Sequence, residues 1–183
     1  MNFESAKSQL TKVLVTEEQI KTRVVELAAE IDKKYAGKEV LLVGVLKGAI
    51  MFMADLSRAL SISTSMDWMA LSSYGSGTVS SGVIRILKDL DSEIHGKHVI
   101  IVEDIIDSGL TLSWLETTLK ARGAASVDVV AFLRKPDAAK VEVPVWLVGY
   151  DIPNEFVVGY GLDYNEKYRD LNCVAVLDPK VYS

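Results

Sequence analysis

The sequence predicts an α/β domain with a mainly parallel central sheet flanked by helices. Three observations carry that prediction. Short apolar runs of strand length alternate along the chain with stretches of helical periodicity. Those runs are nearly continuous, as suits strands buried on both faces. The chain has 183 residues, 49% hydrophobic and 25% charged, a normal globular balance. A chain of that length buries roughly 70% of its unfolded surface and needs no disulfide or structural metal.

Taken in order, Thr16 and Gln19 stand at capping-box spacing, and Ile20, Val24, Leu27 and Ile31 then recur at helical intervals. A helix is therefore expected over 17–35, with Gly37 as its stop. The run from Val40 to Leu46 is the first buried strand. Met53, Leu56 and Leu60 mark a second helix over 50–60, and a strand is expected at 65–71. Residues 72–82 hold five Ser, three Gly and one Thr, the composition of a mobile loop. Strands follow at 83–87 and 98–102, then a helix carrying Leu112, Leu115 and Leu119 that ends near Gly123. Further strands are expected at 127–133 and 145–150. Beyond Asp151 the chain is irregular and aromatic, closing with a short strand at 174–177. No repeat or linker divides it, so residues 1–183 are expected to form a single domain.

Charge and cysteine content narrow the function. Lys+Arg 20 against Asp+Glu 25 leaves a net charge of −5, which argues against a nucleic-acid or anionic-membrane binder. Cys173 stands alone, so an intrachain disulfide and a cysteine-based zinc site are excluded. Residues 1–10 are polar, without the apolar core of a signal peptide, and the run at 40–46 is too short to span a bilayer. A cytoplasmic protein without a membrane or nucleic-acid partner is expected.

In open parallel sheets ligands bind beyond the carboxyl ends of the strands. Three polar features fall at such ends: Lys47 and Gly48; Glu103, Asp104 and Asp107; and Lys135. Adjacent carboxylates accept hydrogen bonds from sugar hydroxyls or hold a hard cation. Asp107-Ser108-Gly109-Leu110-Thr111 is a small polar turn opening a helix, where free backbone N–H groups and the helix dipole favour a phosphate. Together they describe a ribose-5-phosphate site. The competing reading is a helix cap beside solvated acids.

Residues 99–111, VIIVEDIIDSGLT, closely resemble the signature of type I phosphoribosyltransferases, which bind 5-phosphoribosyl diphosphate (PRPP). Leu46-Lys47-Gly48-Ala49 is similar to the pyrophosphate loop of their hypoxanthine–guanine branch, and Ser73-Tyr74-Gly75 to its flexible loop. Leu133-Arg134-Lys135 and residues 156–171 resemble its purine-binding and closing segments. The resemblance covers about residues 38 to 178. It implies the type I phosphoribosyltransferase fold, with a small hood built from terminal segments (151–183 at the C-terminal end) and a lid at 72–82. Ser108 stands where many members carry Thr, and Ala49 where many carry a second Gly. The Leu46–Lys47 peptide can be cis in the family.

The resemblance further implies a reaction in which a ring nitrogen of a 6-oxopurine displaces pyrophosphate from C1 of PRPP, with Mg²⁺ as cofactor. Asp107 would be the general base. Glu103 and Asp104 would meet the ribose hydroxyls, directly or through Mg²⁺. Ser108, Gly109, Leu110 and Thr111 would hold the 5-phosphate, and Lys47, Gly48 and Arg169 the diphosphate. Lys135 would donate to the purine O6, Phe156 would stack on the base, and Val157 would meet its edge. Asp163 would hold a second Mg²⁺. Ser73 and Tyr74 belong to the lid, Tyr74 as its contact with the diphosphate. A homodimer or homotetramer is implied, with Met51 and Met53 as interface candidates. His95, His98, Trp68, Trp114 and Trp146 read as turn, core or contact residues. The alternatives are a xanthine- or guanine-preferring enzyme, a PRPP-sensing regulator and a diphosphokinase relative.

Overall fold

Apolar alternation along the central strands builds the molecule. In the computed structural model, which describes residues 3–74 and 83–182, successive residues of each strand feed two different cores. The chain opens with α1 (Phe3–Ala6) and β1 (Leu10–Val15). Then come α2 (Glu17–Lys34), β2 (Val40–Leu46), α3 (Ile50–Ala59), β3 (Thr64–Tyr74) and β4 (Val83–Lys88). After them run β5 (His98–Ile106), α4 (Leu110–Ala121), β6 (Ser126–Arg134) and β7 (Leu147–Asp151). Last are β8 (Val157–Val158), β9 (Val174–Leu177) and α5 (Pro179–Tyr182).

Among the described residues, six strands form the central sheet in the order β4-β3-β2-β5-β6-β7. All its pairings are parallel except β3 with β4, at the edge. Val40 and Leu42 of β2 join Ile100 and Val102 of β5 in the core under α2 and α3. Leu41 and Val43 join Val99 and Ile101 in the core under α4, with Leu112, Leu115 and Leu119. This period-2 division explains why the runs carry no polar interruption. A second sheet, β1-β9-β8, is antiparallel and covers a third core around Val158, Leu171 and Leu177.

Thr16 caps α2 as expected, accepting from the Gln19 amide while the Gln19 side chain accepts from Thr16 N–H. Three sequence expectations need correction. β5 does not stop at Val102 but runs through Glu103 and Asp104 to Ile106, paired with β6 as far as Arg134. The acids thus lie on a strand, and alternation turns them to different sides. β3 extends to Tyr74, so the lid expected at 72–82 begins inside a strand. Residues 75–82, and the side chains of Ser73 and Tyr74, lie outside what is described. Met53 is fully buried under the sheet and is no interface residue. Among the described residues, no helix is long and apolar enough to cross a membrane.

Candidate active site

The chain leaves β2 toward β3 on one side and reaches β5 on the other, so the strand order reverses between β2 and β5. Such a switch point opens a crevice at the strands' carboxyl ends. Two cavities occupy it. One, of about 150 Å³, is lined by Glu103, Asp107, Ser108, Gly109 and Thr111, with Ile105, Ile106 and Leu112. The other, of about 390 Å³, is lined by Lys47, Gly48, Asp104, Asp107, Lys135, Phe156, Val157, Asp163 and Arg169, with Val45, Leu46, Ile105 and Leu162. Asp107 lines both.

The smaller cavity sits at the start of α4. Its N-cap is Gly109, at φ +78°, and no side chain caps the helix. The serine hydroxyl approaches the Leu110 N–H only at 3.5 Å. Apart from that long contact the first-turn amides have no side-chain acceptor, and Asp107 does not cap the helix. Gly109 is needed twice, for its positive φ and because a Cβ there would meet the Val141 carbonyl at 3.0 Å. Ser108 O accepts the N–H groups of Lys140 and Val141 at 3.0 and 3.3 Å, which ties this turn to the segment after Lys135.

In the larger cavity Lys135 is 8% exposed, with its ammonium 3.7 Å from Asp107 Oδ2. It is therefore not the solvated lysine that its place beside Pro136 also allowed. Lys47, after a cis Leu46–Lys47 peptide, reaches Glu166 at 3.1 Å. Arg169 pairs with Asp163 at 2.8 Å and Glu166 at 3.3 Å, and donates to the Gly161 carbonyl at 2.7 Å. Phe156 and Val157 enter from the second sheet.

Glu103 and Asp104 carry the strongest electrostatic signature. Burial lifts the Glu103 carboxyl well above the usual range, and the Asp104 charge adds to this. Its Oε2 is buried with no hydrogen-bond partner among the described residues. Burial lifts Asp104 to about 6, against its backbone N–H bonds and the Arg169 charge. A carboxylate with one buried, unpartnered oxygen, as at Glu103, fits a hard cation or a hydroxyl donor. Among the described residues no three carboxylate, His or Cys side chains gather into a metal cage. Glu103 faces the smaller cavity, whereas Asp104 and Asp163 line the larger one.

Three contributors went unread in the sequence. Ile105, inside the quoted signature, lines both cavities. Glu166 pairs with both Lys47 and Arg169, yet in sequence it is one surface acid among many. Gly161, at φ +100°, packs so tightly that a Cβ would lie 2.0 Å from the Gly48 carbonyl oxygen. The pair Gly159 and Gly161 was the signal that could have found that turn.

Comparison with known proteins agrees with this geometry. A family model described as the phosphoribosyl transferase domain matches residues 12–165. A hypoxanthine-guanine phosphoribosyltransferase of Mycobacterium tuberculosis is 54% identical over 94% of this chain and 89% of its own. One from Bacillus subtilis is 48% identical, over 96% and 98%. The crystal structure of a hypoxanthine phosphoribosyltransferase from Staphylococcus aureus superposes with a TM-score of 0.95 at 45% identity, covering 98% of this chain and 97% of that one.

Proposed function

The chain belongs to the phosphoribosyltransferase family, and on that premise we propose that it transfers the 5-phosphoribosyl group from PRPP to a 6-oxopurine. Hypoxanthine is the proposed acceptor, with guanine beside it, giving the nucleoside monophosphate and pyrophosphate in purine salvage. The observation that supports this best is the position of Asp107, which lines both the 5-phosphate turn and the cavity with Lys135 and Phe156. One group thus faces both a phosphate nest and a flat, partly apolar base pocket.

In this reading the purine ring nitrogen bonds to C1 as the bond from C1 to the diphosphate oxygen breaks. The ring proton passes to the Asp107 carboxylate, a step worth about 10²–10⁴-fold in rate. The buried Lys135 ammonium donates to the purine O6. An adenine amino group there would face a donor and leave both unpaired, which is costly in a dry pocket. Phe156 stacks on the base and Val157 meets its edge. The free amides at the start of α4, with the Ser108 and Thr111 hydroxyls, hold the 5-phosphate. Lys47, Gly48 and Arg169 hold the diphosphate, with Arg169 as a fork.

Glu103 and Asp104 accept from the ribose hydroxyls or hold Mg²⁺, with Asp163 toward a second ion. A protein cage is not required, because Mg²⁺ commonly takes one or two carboxylates and completes its shell with water and phosphate oxygens. When bound, it supplies charge neutralisation of the leaving diphosphate. The reading includes a reducing cytoplasm, for a chain with one buried cysteine. It also includes a homodimer or homotetramer.

The test is steady-state turnover of PRPP and Mg²⁺ with hypoxanthine, guanine, xanthine and adenine in turn. Formation of the oxopurine nucleotides and not of adenylate is expected. No turnover with any oxopurine would refute the enzyme, and a higher kcat/KM for xanthine would refute the acceptor named here.

A further inference from the structure

Phe156 is 40% exposed, so burial alone does not fix its ring. Its backbone is fixed: Leu177 N–H donates to the Phe156 carbonyl at 3.0 Å, and the next residue, Val157, pairs with Val176. The ring itself is held by two tyrosines. Tyr182 lies 5.0 Å away, centroid to centroid, inclined at 38°. Tyr164 stands edge-on at 6.0 Å and 89°. The two tyrosines are 6.2 Å apart. Neither lines the cavity that Phe156 lines with Lys135 and Val157, so both grip Phe156 from outside it.

Tyr182 is firmly mounted. It ends α5, whose start is anchored by Asp178. The Asp178 N–H donates to the Gln9 carbonyl at 2.8 Å, and its Oδ1 accepts from Lys180 N–H at 3.0 Å. Its carbonyl accepts from Val181 N–H at 2.8 Å, and Val181 packs into the third core. The mount is tied to Gln9 just before β1 and to the end of β9, not to the turn at the start of α4.

We propose that Tyr182 is a positioning residue for the purine, bracing the Phe156 ring so that it already stands where the base will stack. This rests on the reading of Phe156 as the base-stacking ring. Tyr182 touches no reacting atom. Its effect is that a half-exposed ring does not give up rotamer freedom at the moment of binding. Because its mount is separate from the turn at the start of α4, the effect falls on the base and not on the 5-phosphate.

The experiment compares Tyr182→Ala, Tyr182→Phe and Phe156→Ala by titration calorimetry with inosine 5′-monophosphate and with ribose 5-phosphate. Tyr182→Ala is expected to weaken the nucleotide roughly three- to ten-fold, the scale of one aromatic pair. Ribose 5-phosphate is expected to stay within about two-fold. Tyr182→Phe keeps the ring and restores nucleotide affinity. Phe156→Ala weakens the nucleotide further, and adding Tyr182→Ala to it changes nothing more. Unchanged nucleotide binding in Tyr182→Ala, with a loss in Phe156→Ala, overturns the brace alone. No loss in Phe156→Ala overturns the stacking reading beneath it. Tighter nucleotide binding in Tyr182→Ala means that Tyr182 competes with the base. Equal weakening of both ligands means a general disturbance of α5. Either of these last results overturns the proposal.

Discussion

Replacing Gly161 by alanine asks how tightly the turn after β8 is docked on the loop after β2. Gly161 sits at φ +100°, where an L side chain is strained by about 1–3 kcal/mol. Its Cβ would also lie 2.0 Å from the Gly48 carbonyl oxygen, and Gly48 in turn has room for no Cβ, which would stand 1.8 Å from Asp104 Oδ2. Three layers are therefore stacked without slack: the end of β5, the loop after β2, and the turn that holds Arg169. To relieve the overlap, that turn must withdraw by about 1 Å, and a misplacement of that size costs on the order of 100-fold in rate. For a chain of this length each kcal/mol moves Tm by about 2–4 °C, so a fall of roughly 5 °C is expected. Gly37→Ala is the control, since Gly37 has φ +71° but nothing within 4 Å of its Cβ. It carries the backbone strain without the overlap. The assay is kcat/KM for PRPP beside thermal denaturation for both variants. Gly161→Ala should lose both activity and Tm, and Gly37→Ala only Tm. If Gly161→Ala keeps kcat/KM within about two-fold of the parent, the docking argument is wrong.

Asp107→Asn should lower kcat by roughly 10²–10⁴-fold while the KM for PRPP moves little, and an unchanged kcat removes the general-base role. Lys135→Ala should raise the KM for hypoxanthine by about 10- to 100-fold, since it deletes a hydrogen bond from a buried charged group. A retained KM, measured at saturating PRPP, refutes the O6 contact. Asp104→Asn tests the buried carboxyl. Its folded pKa of about 6 exceeds the unfolded value, so the folded state holds the extra proton between about pH 4 and 6 and loses stability as pH rises through that window. In chelator, the stability of the variant relative to the parent should rise steadily from pH 4 to pH 7, because only the parent must give up that proton. A difference that is flat with pH, by urea denaturation, contradicts the assignment.

Much of the fold was legible because buried parallel strands announce themselves. The runs at 40–46 and 99–102 carry no polar side chain and 127–133 carries only Asp128, since both faces meet a core. β1 was not legible. Thr11 and Lys12 break its pattern, and its partner, β9, lies more than 150 residues away in sequence. β8, with two residues, is too short for any period. The site divides the same way. Glu103 to Thr111 is continuous in sequence, so its chemistry could be read from one segment. Glu166 and Tyr182 could not, because their meaning comes from long-range packing against Lys47, Arg169 and Phe156. What the signature hid was direction. Glu103 and Asp104 read as a pair, yet a strand turns neighbours to opposite sides, and each serves its own cavity.

That separation bears on how an acidic protein accepts a polyanion. Each cation of the larger cavity already faces a carboxylate: Lys47 meets Glu166, Lys135 meets Asp107, and Arg169 meets Asp163 and Glu166. In the proposed function an arriving diphosphate therefore exchanges with carboxylates for the same donors. Exchange at Glu166 is easy, because both it and Lys47 are about two-thirds exposed and an exposed pair is worth little. Glu103 and Asp104 differ, being half-buried and costly to ionise. No exchange relieves them. Their charge must be met by a proton, a hydroxyl donor or a metal ion that arrives with the substrate. The net charge of −5 is thus distributed to a purpose. In the proposed function, outer acids hold the basic side chains in place until a diphosphate displaces them, and inner acids make the strand end of the crevice unfavourable to a bare anion and favourable to one that brings cations or hydroxyls.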